Sequence, residues 1–234
     1  MKNWKAQLLI CAAALALLVG QPTQVRADLI VNGSFERPNV GLTGIIEISR
    51  GTEPAGFGWR VDAGTVEVFG QLYPGLPGPS FDGVQHLDLN GISIGTLSQA
   101  FATTPGTDYQ LSFAYANNYV HTNQTNPALA TVRLLDTATG LDLLNPLGIS
   151  HGTSTSTNLD WIVGTLTFTA TGDSTTLRFI SNTQDPLGGI LLDGVSVNAV
   201  SVTVVPEPSS IMLVTLGALS LLGYSCRREM KMAH

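Results

Sequence analysis

The chain has 234 residues, enough for one sizeable domain with short appendages, and only 12% of them are charged. Between Asp28 and Val205 there are five arginines, no lysine and fifteen acidic residues, an excess of ten negative charges. Such a surface repels polyanions and argues against nucleic-acid binding, whereas it is compatible with divalent cations or neutral glycans. Cys11 and Cys226 both lie outside this span, so we expect the central domain to have no disulfide.

Residues 1–27 have the pattern of a secretory signal peptide. Lys2 and Lys5 precede the uninterrupted apolar stretch 8–19, and a pattern of small or apolar residues predicts cleavage between Ala27 and Asp28. The alternative is an uncleaved membrane anchor. Because the apolar stretch is shorter than the roughly 20 residues of a full span, the sequence favours cleavage.

Residues 28–200 have the pattern of short strands separated by turns. Large apolar side chains alternate with polar ones in 109–115 and 164–169, which is typical of strands with one buried face. No stretch of this span shows a sustained helical period. The pattern predicts an all-β fold, a single antiparallel jelly-roll β-sandwich. The predicted strands are 45–49, 65–69, 84–89, 96–102, 109–116, 130–135, 161–170, 175–181 and 190–200.

A mixed aromatic and amide cluster runs off one predicted strand into a loop. Its members are Tyr115, Asn117, Asn118, Tyr119 and His121. Sugar rings stack on aromatic faces while amides bond their hydroxyl groups, so this cluster is a candidate glycan-binding site. The alternative is that Tyr115 faces the core and the others form an ordinary polar loop.

The sequence offers little support for an enzyme. It has neither the His-Glu-x-x-His pair of a metalloprotease nor the Gly-x-Ser-x-Gly elbow of a hydrolase. His86 and Asp88 share one strand face, where a structural role is the simpler interpretation. No residue is indicated as a nucleophile, so we predict a non-catalytic protein.

The C-terminal tail, residues 201–234, has three parts in a fixed order. A proline-rich motif at 205–210 is followed by an apolar segment at 211–224, predicted to be a helix, and by a basic end at 225–234. Basic residues after an apolar run hold that end on the cytoplasmic side, so the main domain faces outward. The residues that define the motif and the basic end are Pro206, Glu207, Pro208, Arg227 and Arg228.

This three-part tail resembles the PEP-CTERM sorting signal. The resemblance implies recognition by an exosortase, a membrane-embedded enzyme of Gram-negative bacteria, after transient anchoring in the membrane through the apolar helix. Substrates of such enzymes are typically associated with exopolysaccharide or biofilm production, in the cell envelope or the extracellular matrix. The alternative for the tail is a simple membrane anchor.

The central domain carries a second resemblance. The opening segment Leu-Ile-Val-Asn-Gly-Ser-Phe-Glu at 29–36 and the closing segment Ile-Leu-Leu-Asp-Gly-Val-Ser-Val at 190–197 are similar to those of galactose-binding-like sandwiches. Together with Gly58-Trp59, the segment 85–91 and the segment 97–101, they resemble the domain-of-unknown-function family numbered 642. Its members are cell-wall or extracellular proteins.

That resemblance implies a structural calcium ion held by Glu36 and Asp193, as in related carbohydrate-binding sandwiches. Calcium takes six to eight oxygen ligands, so backbone carbonyls and waters would complete the shell. The family often has a second aspartate at the position of Gly194, which removes one potential ligand here. The alternative is that both carboxylates cap turns.

Together these features predict an exported, non-catalytic surface protein that associates with extracellular polysaccharide. The alternative is a purely structural envelope or biofilm-matrix protein that binds no sugar.

Overall fold

The alternating segments of the central domain form eleven β-strands. The computed structural model describes residues 28–200 together with residues 217 and 218. In chain order the strands are β1 (Ile45–Ser49), β2 (Arg60–Ala63), β3 (Thr65–Gly70), β4 (Gln85–Asp88), β5 (Thr96–Ala102), β6 (Asp108–Asn117), β7 (Ala128–Asp136), β8 (Leu147–His151), β9 (Ile162–Thr169), β10 (Ser174–Ser181) and β11 (Ile190–Ala199).

The strands pair in two antiparallel sheets. Sheet A has six strands in the order β1-β3-β4-β11-β6-β9, and sheet B has five in the order β2-β5-β10-β7-β8. Several spatial neighbours are far apart along the chain, because each sheet draws strands from both halves of the domain. The predicted all-β sandwich is therefore confirmed.

All nine predicted strands are present, with ends that differ by a few residues. Two strands were not predicted, β2 and β8. β2 has only four residues, two of them charged, and β8 contains Gly148, which weakens a strand pattern. The predicted signal peptide and most of the sorting tail lie outside the described residues. No helix within the described part of the chain is long and apolar enough to span a membrane.

The main hydrophobic core fills the space between the two sheets. Phe113 of sheet A meets Phe179 of sheet B edge to face, with ring centroids 5.4 Å apart. Trp59 lies beside Phe179 at 6.2 Å and is only 2% exposed. Aromatic side chains packed in this way bury large apolar areas, so they are principal contributors to the stability of the sandwich.

A second, smaller cluster lies on the outer face of sheet A. Loops fold over this face and bury residues such as Leu191, whose neighbours in β11 point into the main core. The buried members are Phe69, Leu76, Ala116, Leu159 and Leu191, with Tyr73, Tyr119 and Trp161 half-buried against them. Because both faces of sheet A are covered here, β4 and β11 are buried on both sides.

The first residues of the domain pair with its last strand. The N–H of Leu29 donates to the carbonyl of Val197 at 3.0 Å, and the N–H of Val195 donates to the carbonyl of Gly33 at 2.9 Å. The carboxylate of Asp28, the predicted first residue after cleavage, accepts the N–H of Val197 at 2.9 Å. The opening segment is thereby held along β11.

Candidate functional site

Glu36 and Asp193, the predicted calcium ligands, both contact the segment 81–85. Glu36 Oε1 accepts the backbone N–H groups of the last two residues of this segment at 2.7 and 2.8 Å. Asp193 Oδ2 accepts the N–H groups of its first two residues at 2.8 and 3.0 Å. The two carboxylates thus fix the chain between the opening segment and β11.

The backbone around Asp193 explains why a glycine follows it. The pairing of β11 with β6 shifts register after Asp193, and Gly194 has a φ of 54°, a conformation that favours glycine. A Cβ at this position would lie 2.8 Å from a ring atom of Phe81. An aspartate at the position of Gly194, which is common in the family that this sequence resembles, would therefore have a strained backbone and a crowded side chain here.

N–H donors occupy most of the carboxylate oxygens at this junction. Asp193 Oδ1 also accepts the N–H of Gly194 at 2.7 Å, which leaves Glu36 Oε2 as the one oxygen of the pair without a hydrogen bond in residues 28–200. Burial raises the pKa of Asp193 to about 8, although its three N–H donors favour the ionised form.

As placed, these two residues do not form the oxygen shell that calcium requires. Across the described ranges no group of three or more His, Cys, Asp or Glu side chains could hold a metal ion. The contacts match the alternative in which both carboxylates order turns. Calcium at Glu36 and Asp193 stays a prediction.

Two members of the predicted glycan cluster, Asn117 and Asn118, are buried and bonded within the protein. The amide of Asn117 bonds the His151 ring at 2.7 Å and donates to Thr122 Oγ1 at 2.9 Å. The amide of Asn118 donates to Asp88 Oδ2 at 2.9 Å. Their polar groups therefore hold loops in place.

The other three members point in different directions. Tyr115 packs against the main core, and the Tyr119 hydroxyl donates to the carbonyl of Pro77 at 3.0 Å. His121 is partly exposed, and its Nδ1 lies 3.8 Å from a carboxylate oxygen of Asp185. The structure therefore places the five side chains of the predicted cluster in different environments. Glycan binding by its members stays a prediction.

A cleft of about 330 Å³ opens on the outer face of sheet A, beside the loop that carries His121. This volume lies at the lower end of the roughly 300–1,000 Å³ that is usual for ligand pockets. The lining combines an aromatic ring, a carboxylate, an imidazole, an amide and apolar surface, from Tyr73, Glu67, His121, Asn118 and Val120. We call it the Tyr73 cleft. The predicted cluster includes two of its lining residues, Asn118 and His121.

Glu67, which lines the Tyr73 cleft, has two acidic neighbours in sheet A. Glu67 of β3 lies opposite Glu47 of β1 and Asp88 of β4. Burial, followed by repulsion from Glu47, raises the pKa of Glu67 to about 7. Near neutral pH this carboxyl is therefore present in both protonation states, and it can both donate to and accept from a hydroxyl group.

Asp88 lies wholly buried beside the cleft. Burial raises its pKa to about 8, although hydrogen bonds from the Asn90 N–H and the Asn118 amide favour the ionised form. Its nearest partners are amides, and no described residue gives it a cationic partner. A carboxyl in this setting is kept protonated below neutral pH.

Two serine–histidine contacts occur in residues 28–200, and the shorter of them joins Ser80 to His86, whereas Ser154 Oγ lies 3.5 Å from His151 Nδ1. Ser80 Oγ lies 3.1 Å from His86 Nδ1, but His86 Nε2 has no hydrogen-bond partner among the described residues. Burial lowers the pKa of His86 to about 4, so the ring is neutral and a weak base at neutral pH. No carboxylate orients it, as a general base of this type requires.

Residues 28–198 match the family described as "Protein of unknown function (DUF642)". The chain belongs to the DUF642 family. Residues 204–228 match the PEP-CTERM protein-sorting motif. Both resemblances stated from the sequence are thereby confirmed. The motif indicates an exported protein that is sorted to the cell envelope, and its residues lie almost wholly outside the described part of the structure.

Solved structures similar to this DUF642 chain include carbohydrate-binding modules and an enzyme domain. TmCBM61 in complex with beta-1,4-galactotriose is 10% identical, with a TM-score of 0.48, over 75% of this chain and 100% of that chain. The family 35 module from Cellvibrio japonicus Abf62 is 16% identical, with a TM-score of 0.41, over 68% and 95%.

The bacteriophage CBA120 tailspike protein 4 enzymatically active domain is 17% identical, with a TM-score of 0.42. The match covers 74% of this chain but only 21% of the tailspike chain. No curated protein sequence matches the DUF642 chain.

Proposed function

We propose that this DUF642 protein is a non-catalytic exported protein that associates with extracellular polysaccharide through the Tyr73 cleft. Its tail is the substrate of an exosortase-type enzyme in a Gram-negative bacterium, and the apolar segment 211–224 anchors it in the membrane until processing. The mature domain then resides in the envelope or the exopolysaccharide matrix.

The lining of the Tyr73 cleft carries this proposal. The Tyr73 ring is half-buried and lies 5.2 Å from the Phe69 ring, so the neighbouring ring limits its movement. Its hydroxyl forms no hydrogen bond with another described residue, whereas that of Tyr119 is used within the protein. A fixed, partly exposed aromatic ring beside polar groups offers both a stacking surface and hydrogen bonds to a sugar.

The polar groups of the cleft suit a neutral sugar. Glu67 and His121 provide donors and acceptors, and the cleft has no arginine or lysine in its lining. An anionic sugar would be repelled by Glu67, which lines the cleft, and by Glu47 opposite it in the neighbouring strand. Neutral hydroxyl groups meet no such penalty.

The proposal is tested by measuring the binding of the full chain, purified in a mild detergent, to an array of neutral and acidic glycans. We expect binding to at least one neutral glycan and a loss of about tenfold in affinity for Tyr73→Ala, equivalent to about 1.4 kcal/mol. Leu72→Ala is the matched control, since Leu72 is an exposed neighbour in the same loop and does not line the cleft.

Two outcomes would contradict the proposal. Binding that is unchanged in Tyr73→Ala would show that the cleft is not the site. The absence of binding to every glycan by a folded chain would favour the alternative, a structural envelope or matrix protein.

A further inference from the structure

Three of the five arginines in the acidic domain lie in one row across the outer face of sheet B. Arg60 of β2 is the cross-strand partner of Ser98 in β5, and Ser98 is the partner of Arg178 in β10. Arg178 is in turn the partner of Arg133 in β7. Strand pairing therefore gathers three cations that are far apart in the sequence.

One arginine of the row is held by hydrogen bonds to a carboxylate, and the other two are not. Arg133 forms a bidentate pair with Asp142, at 2.9 and 2.7 Å. Arg60 and Arg178 instead share Asp62, with each Nε 3.2 Å from a different oxygen of its carboxylate. Neither of these contacts is aligned as a hydrogen bond, and no other described residue bonds the two guanidinium groups.

A cavity of about 690 Å³ lies over this pair of arginines, within the size range of ligand pockets. The loop 53–56 forms one wall, and the outer face of sheet B forms the floor. The Arg178 side chain is 34% exposed and that of Arg60 is 70% exposed, so both can reach a ligand from solvent. Ser98 and Thr176 place hydroxyl groups on the floor.

We propose that this cavity, the Arg60–Arg178 cavity, binds a carboxylated sugar residue of an acidic polysaccharide. Asp62 lies between the two guanidinium groups, so their spacing suits one shared carboxylate, and their unbonded N–H groups can donate hydrogen bonds to a second carboxylate, that of the ligand. Guanidinium forks match carboxylates in geometry and form strong, charge-assisted hydrogen bonds.

The remaining lining groups favour a sugar acid over a densely charged polyanion. Glu53 and Asp62 also line the cavity, so its formal charges balance. Those carboxylates can accept hydrogen bonds from ring hydroxyls while the arginines hold the acid group. A nucleic acid would bring several closely spaced phosphates against Glu53 and Asp62, and would be repelled.

This inference goes beyond the proposed function, because it concerns the opposite sheet and charged glycans. The acidic charges elsewhere on the domain do not prevent it, since charges separated by more than about 8 Å are largely screened at physiological ionic strength. Either site can therefore fail without the other.

The experiment measures the affinity of the full chain, in a mild detergent, for gellan oligosaccharides, which carry a single glucuronate in each repeat of several neutral sugars. The matched ligand is the same oligosaccharide after its carboxylates have been reduced to alcohols. We expect the acidic form to bind at least tenfold more tightly, and raising the salt concentration to weaken only that binding.

Variants then locate the site. The double variant Arg60→Gln/Arg178→Gln is expected to lose about tenfold or more in affinity for the acidic form. Arg50→Gln, which removes one arginine charge from an exposed turn, is expected to stay within about twofold. Asp62→Asn removes the internal competitor for both guanidinium groups and should tighten binding several-fold. If the double variant does not fold, the affinity of Asp62→Asn for the acidic form still tests the proposed site.

Equal affinity for the acidic and reduced oligosaccharides, or no binding of either, would overturn the inference. So would an Asp62→Asn variant that melts at a lower temperature but binds as the parent does, since a purely structural pair predicts that pattern. Tyr73→Ala should leave gellan binding unchanged, which separates this site from the Tyr73 cleft.

Discussion

Replacing Asp88 with asparagine tests the account of the buried outer face of sheet A. Burial raises the pKa of Asp88 from 3.8 to about 8, so the folded protein keeps a proton that the unfolded chain releases above about pH 4. The stability contributed by this group is complete below that pH and is lost as the pH rises towards 8. The parent protein should therefore become less stable between pH 5 and pH 7.

The size of the effect follows from proton linkage. One proton bound in the folded state and absent from the unfolded state gives a slope of about 1.4 kcal/mol per pH unit, or about 3 kcal/mol between pH 5 and pH 7. In Asp88→Asn the new amide can still accept the Asn90 N–H, but its N–H₂ group faces the donor of Asn118. That lost hydrogen bond should cost about 1–3 kcal/mol at every pH.

The assay is urea unfolding of both proteins at pH 5, 6 and 7. We expect the variant to be less stable at pH 5 and the difference from the parent to shrink by about 3 kcal/mol by pH 7. Because Glu67 and Asp193 titrate in both proteins, comparing the two removes most of their contribution. Asp173→Asn, at an exposed turn, is the control and should keep the parental pH dependence. A stability difference that stays constant from pH 5 to pH 7 would refute the reasoning.

Two further predictions concern the core and the metal. Phe113→Ala removes a fully buried ring between the sheets and should lower the free energy of unfolding by about 3–5 kcal/mol, whereas Leu141→Ala, 70% exposed, should change it by less than about 0.5 kcal/mol in the same denaturant titration. Chelation with EDTA should leave the melting temperature unchanged, because N–H donors already bond Glu36 and Asp193. A fall that added calcium reverses would instead establish the predicted calcium site.

The sequence was sufficient to predict the sandwich because alternation is a local property. Strands with one buried face, such as β6 and β10, show it within their own residues. β2 was missed because Arg60 and Asp62 leave only Val61 and Ala63 as apolar residues in four positions. The junction of the opening and closing segments was also anticipated, from a resemblance and not from any pattern.

The sites could be predicted only in part, because they depend on contacts between distant segments. The sequence around Asp88 contains no pattern that indicates a buried carboxyl group. Its burial follows from loops that fold over the outer face of sheet A. Asn117 and Asn118 were expected to face a ligand, but their amide groups form hydrogen bonds with His151 and Asp88, which lie far from them in the sequence. The pairing of Arg60 with Arg178 across β5 depends on strand order, which alternation does not encode.

The central claim is that this DUF642 domain is exported, processed at both ends and retained with polysaccharide. The most direct test is the intact mass of the protein recovered from the extracellular polysaccharide fraction of the cells that produce it. The account predicts a chain in that fraction that begins at Asp28 and has lost the apolar segment 211–224. A full 234-residue chain found only in other fractions would contradict it.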